Sequence, residues 1–414
     1  MPTSHDEGAV RELGAFERTI DLYMHRNPVQ FSLVAEFDRE VSEPALVRAL
    51  GRVQKRHPLL RVSVDRRGPR ARYRRAEGRI SVESAAAGTP WQAIVADEQT
   101  RPIAPEPGPL ARAVLVPGET GSVVVVTFAH QITDGSGAVR VLTDLVTALD
   151  GGGASEEEPS WHVVPPCQED LLSALDTTRA EIDTPQESHA DAPGELTPFS
   201  ARTPHVSSLA LPDGLTARLV DRCRDENVSV HAALCAAACT VFHREGRDRV
   251  RVLSPVDLRR AAGLPDGVAN RFAGARTVSE KAEAGDFWGL ARRHHRALER
   301  QRTPYVLKAG AQALVQQPPT TPEEAEAMMT AVTAADIQIT NLGAVETSAN
   351  GRSGPVAVWG PAQTTQLRGE HVLGVVTVGG RLRMTELTHD PVAVLLPAMA
   401  SVLAQQCAAS GTPS

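Results

Sequence analysis

Lysine is nearly missing from this chain. Lys55, Lys281 and Lys308 are the only three, so arginine supplies almost all of the positive charge. Any phosphate or carboxylate contact therefore falls mostly to guanidinium groups, which bind such anions bidentately. A basic excess is missing too: 43 Lys and Arg face 50 Asp and Glu, a formal charge of −7. That balance excludes the electrostatic footprint a nucleic-acid binder needs. It suits a protein kept in solution in the cytoplasm, where a monomer is expected. The five cysteines, Cys167, Cys223, Cys235, Cys239 and Cys407, include no CxxC pair. A zinc knuckle or thioredoxin-like centre is thereby excluded, and an odd count without framework spacing fits a reducing compartment. Cys235 and Cys239 lie one turn apart in an alanine-rich run and read as small buried apolar residues. No apolar run approaches the ~20 residues that span a bilayer. The first residues, MPTSHDEGAVREL, hold no apolar stretch of the kind a secretory leader needs, so none is expected.

What is present is ordinary globular composition, 42% hydrophobic and 22% charged over 414 residues. A chain of that length divides into more than one core. The pattern predicts an α/β protein of two lobes, residues 1–185 and 206–414, joined by a linker or crossover over 186–205 within a stretch from Gly151 to about Thr203 rich in Pro, Glu, Ser, Asp and Ala.

In the first lobe, Pro28 to Glu36 reads as a strand. Ser42 offers an N-cap to a helix that Pro58 ends, and LLRVSVD follows as a strand. Gly121 to Ala129, GSVVVVTFA, is a β-branched run fit for a strand covered on both faces. Ala138 to Leu149 has the spacing of an amphipathic helix. A further helical patch covers Leu171 to Ile182.

In the second lobe, Leu215 to Asn227 and Val230 to Arg244 read as helices, the latter apolar all round and so buried. Val250 to Val256 is a strand. Asp286 to Arg302 is a charged helix whose Phe287, Leu290 and Leu298 form a core stripe; His294 and His295 are expected in solvent there. Ala335 to Thr340 is a strand ending at Asn341-Leu342-Gly343. Val372 to Val378 and Leu382 to Leu387 flank Gly379-Gly380, a hairpin signal.

Chemistry concentrates in Thr127 to Gly137, TFAHQITDGSG. His130 stands where the apolar strand ends, a common position for catalytic groups. Asp134 follows four residues later, and Gly135 allows a positive-φ turn that would tuck the carboxylate under the loop. Imidazole is the side chain whose ordinary pKa makes it a base near neutrality. No cysteine lies nearby, and Ser136 and Thr133 carry no sign of activation, so direct attack by an acceptor is expected instead of an acyl-enzyme. Ser136 is also outside any GxSxG elbow.

HxxxDG after an apolar strand resembles the active-site motif of the coenzyme A-dependent acyltransferase superfamily. That group includes the chloramphenicol acetyltransferase type, the condensation domains of peptide synthetases and the bacterial polyketide-associated acyltransferases, to which this chain looks most similar. Further stretches match in order: His57-Pro58-Leu59-Leu60-Arg61, Ser254-Pro255-Val256-Asp257-Leu258-Arg259 and Thr340-Asn341-Leu342-Gly343. Many members carry HHxxxDG; here Ala129 replaces the first histidine.

The resemblance implies two chloramphenicol-acetyltransferase-like lobes, each a mixed sheet flanked by helices, with a tunnel between them. It implies His130 as general base and Asp134 as a structural partner of Arg259. Thr340 and Asn341 are implied as oxyanion or acceptor contacts. No cofactor is implied as resident. The donor would be an acyl-CoA or a phosphopantetheinyl carrier protein, and the acceptor a small molecule or lipid with a hydroxyl or amine. A condensation-like joining of carrier-bound substrates and a non-catalytic recruitment role on the same fold stand as alternatives.

Overall fold

A computed structural model describes residues 9–151, 164–177, 194–200, 202–283, 285–347, 354–392 and 394–408. The N-terminal eight residues, residues 186–193 and 201 of the expected crossover and the end of the Leu171 to Ile182 patch lie outside the described residues. The first half of the chain supplies β1 (Ala9–Glu12), β2 (Gln30–Phe37), β3 (Val62–Asp65), β4 (Arg72–Arg75), β5 (Ser81–Ser84), β6 (Ala111–Pro117) and β7 (Ser122–Ala129). The second supplies β8 (His205–Ala210), β9 (Arg249–Asp257), β10 (Phe272–Glu280), β11 (Ile337–Ala344), β12 (Ala357–Gln363), β13 (Val372–Val378) and β14 (Arg381–Thr388).

These strands form two large mixed sheets, β12-β2-β7-β6-β5 and β10-β9-β11-β13-β14-β8, and a small antiparallel one, β1-β4-β3. The continuous apolar run becomes β7, antiparallel to β2 on one side and β6 on the other. Its alternate residues serve two cores. Val124, Val126 and Phe128 pack with Leu46 and Leu50 of helix Glu43–Arg56 and with Val141 and Leu145 of helix Gly135–Leu149. Val125 faces the other way, onto Trp91, Val95, Ala362 and Leu387. Each such buried valine or phenylalanine stabilises the fold by about 1.5–3 kcal/mol, so a charge at any of these four positions is strongly destabilising.

The second sheet is built around the alanine-rich helix Val230–Arg244, whose residues from Ala232 to His243 are all buried. Cys235 and Cys239 are buried free thiols there. The glycine pair closes the β13–β14 hairpin, with Val378 opposite Arg381 and both glycines at positive φ, as a two-residue turn of this type requires.

The chain crosses between lobes once more near its end. Strand β12 lies beyond residue 206 but hydrogen-bonds to β2, from Ala357 opposite Glu36 to Gln363 opposite Phe31. The first sheet is thus completed by the second half of the sequence.

Several expectations need correction. Pro58–Arg61 is a 3-10 turn before β3, because proline at its start and the Leu60 N–H bonding to His57 O favour a tight turn over extension. Of the patch at Leu171, helix spans Gln168–Ser173. Strand β11 runs on through Asn341-Leu342-Gly343 to Ala344, the positive φ of Gly343 absorbing a register shift against β13. His294 is buried: its helical phase follows Phe287, Leu290 and Ala291 and not its charged neighbours. It bonds Thr277 Oγ1 at 2.8 Å and contacts Cys239 Sγ at 3.5 Å.

Candidate active site at the seam of the lobes

The end of β7 is fixed on all sides. His130 N donates to Val29 O, and Ile132 N turns back to Ala129 O, both near 3 Å. Tyr73 Oη donates to Gln131 O at 2.7 Å. From the second lobe, Asn270 Nδ2 donates to His130 O at 2.7 Å and to Gln131 O at 3.1 Å. The loop carrying the histidine is therefore held by backbone acceptors that both lobes satisfy.

The glycine does not act as expected. Helix Gly135–Leu149 starts three residues earlier than the apolar spacing indicated, and Gly135 is its first residue, outside the positive-φ region. The residue is small because the second lobe comes close. A Cβ there would lie 2.7 Å from Leu342 Cδ2 of β11. Asp134 is the N-cap, its Oδ1 accepting from Gly137 N at 2.8 Å. The carboxylate is tucked in by capping, not by a left-handed turn.

Asp134 Oδ2 reaches across the seam. It accepts from Arg271 N at 2.7 Å and from Arg259 Nη1 at 3.0 Å. Both side chains of that ion pair are 7% exposed. Arg259 also bonds Asp257 Oδ1, and its Nη2 donates to Gly267 O and Ala269 O at 2.9 Å each. Ser136 Oγ donates to Asp257 Oδ2 at 3.0 Å, so this hydroxyl too is committed to the seam. A buried pair of this kind persists only where further hydrogen bonds compensate for lost water, and here five backbone and side-chain partners do so.

The imidazole lies between two aromatic rings, Phe31 of β2 at 5.1 Å and Phe272 of β10 at 5.2 Å between centroids. The residue is half-buried. Its Nδ1 is shielded from solvent and has no hydrogen-bond partner. Burial holds the ring below the ordinary histidine pKa of 6.5, against a weaker pull from its own carbonyl, Asp134 and Asn270. Both Asp134 oxygens are taken by other donors, so the aspartate is not hydrogen-bonded to the histidine as in a protease triad.

Thr340 and Asn341 lie on β11 beside Leu342, and both are half-buried. Asn341 Oδ1 accepts from Gly343 N at 2.9 Å, which occupies it with the local bulge. Thr340 Oγ1 takes a long 3.4 Å contact from Gln338. His57 caps its helix and bonds Asp144 at 2.7 Å, away from the motif loop.

Three contributors escaped the sequence reading: Phe31, Asn270 and Phe272. Phe31 lay within a recognised strand, but nothing in its alternation marked the seam. Asn270 stands in a loop 140 residues from its partner, so no local spacing could reveal it.

No family model matches the chain, and no curated protein matches it in sequence. Solved structures do match in three dimensions. Polyketide synthase associated protein 5 from Mycobacterium tuberculosis superposes with a TM-score of 0.65 at 16% identity, covering 98% of this chain and 100% of that one. The first condensation domain of the calcium-dependent antibiotic synthetase, in complex with a substrate analogue, gives a TM-score of 0.69 at 14% identity over 98% of each chain. This chain has their fold. A third similar structure is F. sporotrichioides TRI101, complexed with coenzyme A and T-2: TM-score 0.64, 14% identity, 92% of this chain and 95% of that one. The mixed α/β two-lobed architecture expected from the motif is therefore present over nearly the full length.

Proposed function

We propose that this protein is an acyltransferase that moves an acyl group from a thioester donor to a hydroxyl, or an amine, of a small-molecule or lipid acceptor, with His130 as general base. The carrying observation is the state of that one side chain. It is an imidazole kept neutral by burial, wedged between Phe31 and Phe272 where the lobes meet, with Nδ1 shielded. Nε2 is then the nitrogen left to an acceptor. The likeness to polyketide synthase associated protein 5, to condensation domains and to a protein solved with coenzyme A supports the class of chemistry.

The acceptor O–H gives its proton to Nε2 as its oxygen attacks the thioester carbonyl. The C–S bond then breaks, and the thiolate leaves with the proton returned by the imidazolium. A positioned base contributes about 10²–10⁴ to such a rate. Asp134 and Arg259 act as positioning residues, locking the loop to the second lobe. Thr340 is a candidate donor to the developing oxyanion. The donor is acyl-CoA or an acyl group on a phosphopantetheinyl carrier protein.

The test is thiol release from a panel of acyl-CoAs and from an acyl-loaded carrier protein, with and without alcohol acceptors. Acceptor-dependent release is expected. Release with carrier-bound substrates at both ends only would instead favour the condensation reading. No release from any thioester would contradict acyl transfer altogether.

A further inference from the structure

Away from the motif loop, the first lobe carries a cleft of about 460 Å³ with a strongly cationic lining. One wall is helix Glu43–Arg56, which presents Arg48, Arg52 and Lys55 at i, i+4 and i+7 on a single face. The facing wall is formed by Arg61 at the end of the 3-10 turn, by Arg75 at the end of β4, and by Arg79 on the segment joining β4 to β5. Glu77 is the one carboxylate in the lining. Six cations against one acid is an unusual concentration in a chain whose formal charge is −7.

The site is built and not a collection of loose surface chains. Buried Gln54 ties the two walls together: its Nε2 donates to Leu60 O at 3.0 Å and Gly78 O at 3.2 Å, and its Oε1 accepts from Ile80 N at 3.1 Å. Between the cationic residues the helix has Gly51, where an added Cβ would meet nothing within 4 Å. The helix dipole accounts for Lys55 near the C-terminus, but not for Arg48 in mid-helix or Arg79 on the other wall. Among the described residues, neither Arg48 nor Arg79 has a carboxylate partner.

We propose that this cleft binds a soluble small molecule carrying two or more adjacent phosphate groups. Its volume lies in the range of ligand pockets, and planar guanidinium forks from two walls match the oxygens of a di- or polyphosphate. A single phosphate would engage one wall only. The concave shape favours a compact soluble ligand over a flat membrane or protein face. The site is independent of the acyl-transfer reading.

The experiment is calorimetric titration of the full chain with pyrophosphate, ADP and orthophosphate at low salt. Pyrophosphate and ADP are expected to bind, orthophosphate more weakly, and added KCl to weaken all of them. Arg48→Ala and Arg79→Ala, both at exposed positions, should each lower affinity about tenfold, the loss of one charge-assisted contact. Gly51→Leu fills the cleft without changing charge and improves helix propensity, so it should remove binding while leaving the melting temperature at or above that of the parent. No binding of pyrophosphate or ADP at low salt would overturn the proposal. So would binding unaffected by all three substitutions, or binding to phosphatidylglycerol vesicles without binding to soluble pyrophosphate.

Discussion

The substitution Asp134→Asn separates a positioning aspartate from one that acts on the imidazole. Asparagine keeps an oxygen to accept from Gly137 N, so the helix cap survives. It places an amide where the carboxylate accepted from Arg271 N at 2.7 Å and Arg259 Nη1 at 3.0 Å. Hydrogen bonds to charged groups contribute about 1.5–3 kcal/mol each, and breaking a buried ion pair costs about 3–5 kcal/mol. Arg259 retains Asp257 and two carbonyls, which places the loss near the lower bound, about 3 kcal/mol. Urea denaturation followed by circular dichroism reads it. Because both partners serve one network, Arg259→Met combined with Asp134→Asn should cost less than the two singles together, by at least about 1 kcal/mol. Turnover should fall with the misplacement of the loop. A variant that loses less than about 1 kcal/mol of stability while its rate falls a hundredfold would refute the reasoning and put the carboxylate at the imidazole.

Other substitutions read other parts of the seam. Phe272→Ala admits water beside His130; the ring is held below pKa 6.5 chiefly by burial, so the acid limb of the rate profile should move up towards 6.5. An unmoved limb would mean that other groups keep the ring neutral. Gly135→Ala drives a methyl into Leu342 Cδ2 and should destabilise by about 1–2 kcal/mol. In a Leu342→Ala background that cost should fall by more than half; an equal cost would place the constraint elsewhere. His294 is buried neutral with a pKa of about 3. Unfolding lets it take a proton below about pH 6.5, so its contribution to stability is complete above that value and declines as pH falls. His294→Gln should therefore lose about 1.6 kcal/mol less than the parent between pH 6.5 and 5, the slope rising from half to nearly the full value of about 1.36 kcal/mol per pH unit over that range. Parallel stability curves for the two proteins would contradict this.

Periodicity revealed what periodicity controls. The helix from Ser42 to His57, the buried run of β7, the alanine-rich helix and the Gly379-Gly380 hairpin were all legible because local spacing determines them. Placement across long sequence separations was not. Strand β12 is seven residues with no alternation to say which sheet it joins, and its partner β2 lies more than 300 residues earlier. His294 looked solvated because its neighbours in sequence are charged, whereas its neighbours in space follow helical phase. At the site, the motif singled out His130 and Asp134, and the resemblance added Arg259, which the structure pairs with Asp134. Helix geometry then reassigned Gly135 from a turn residue to a close-approach residue. Asn270 and the two aromatic rings could be seen only once the lobes were together.

Single-turnover thiol release by His130→Ala, with a thioester and acceptor that the parent protein uses, tests the role of the imidazole most directly. A rate at least about a hundredfold lower is expected, with a single cooperative urea transition retained, since Nδ1 has no hydrogen-bond partner to lose and only the packing against Phe31 and Phe272 is given up. A rate equal to the parent's would contradict that role.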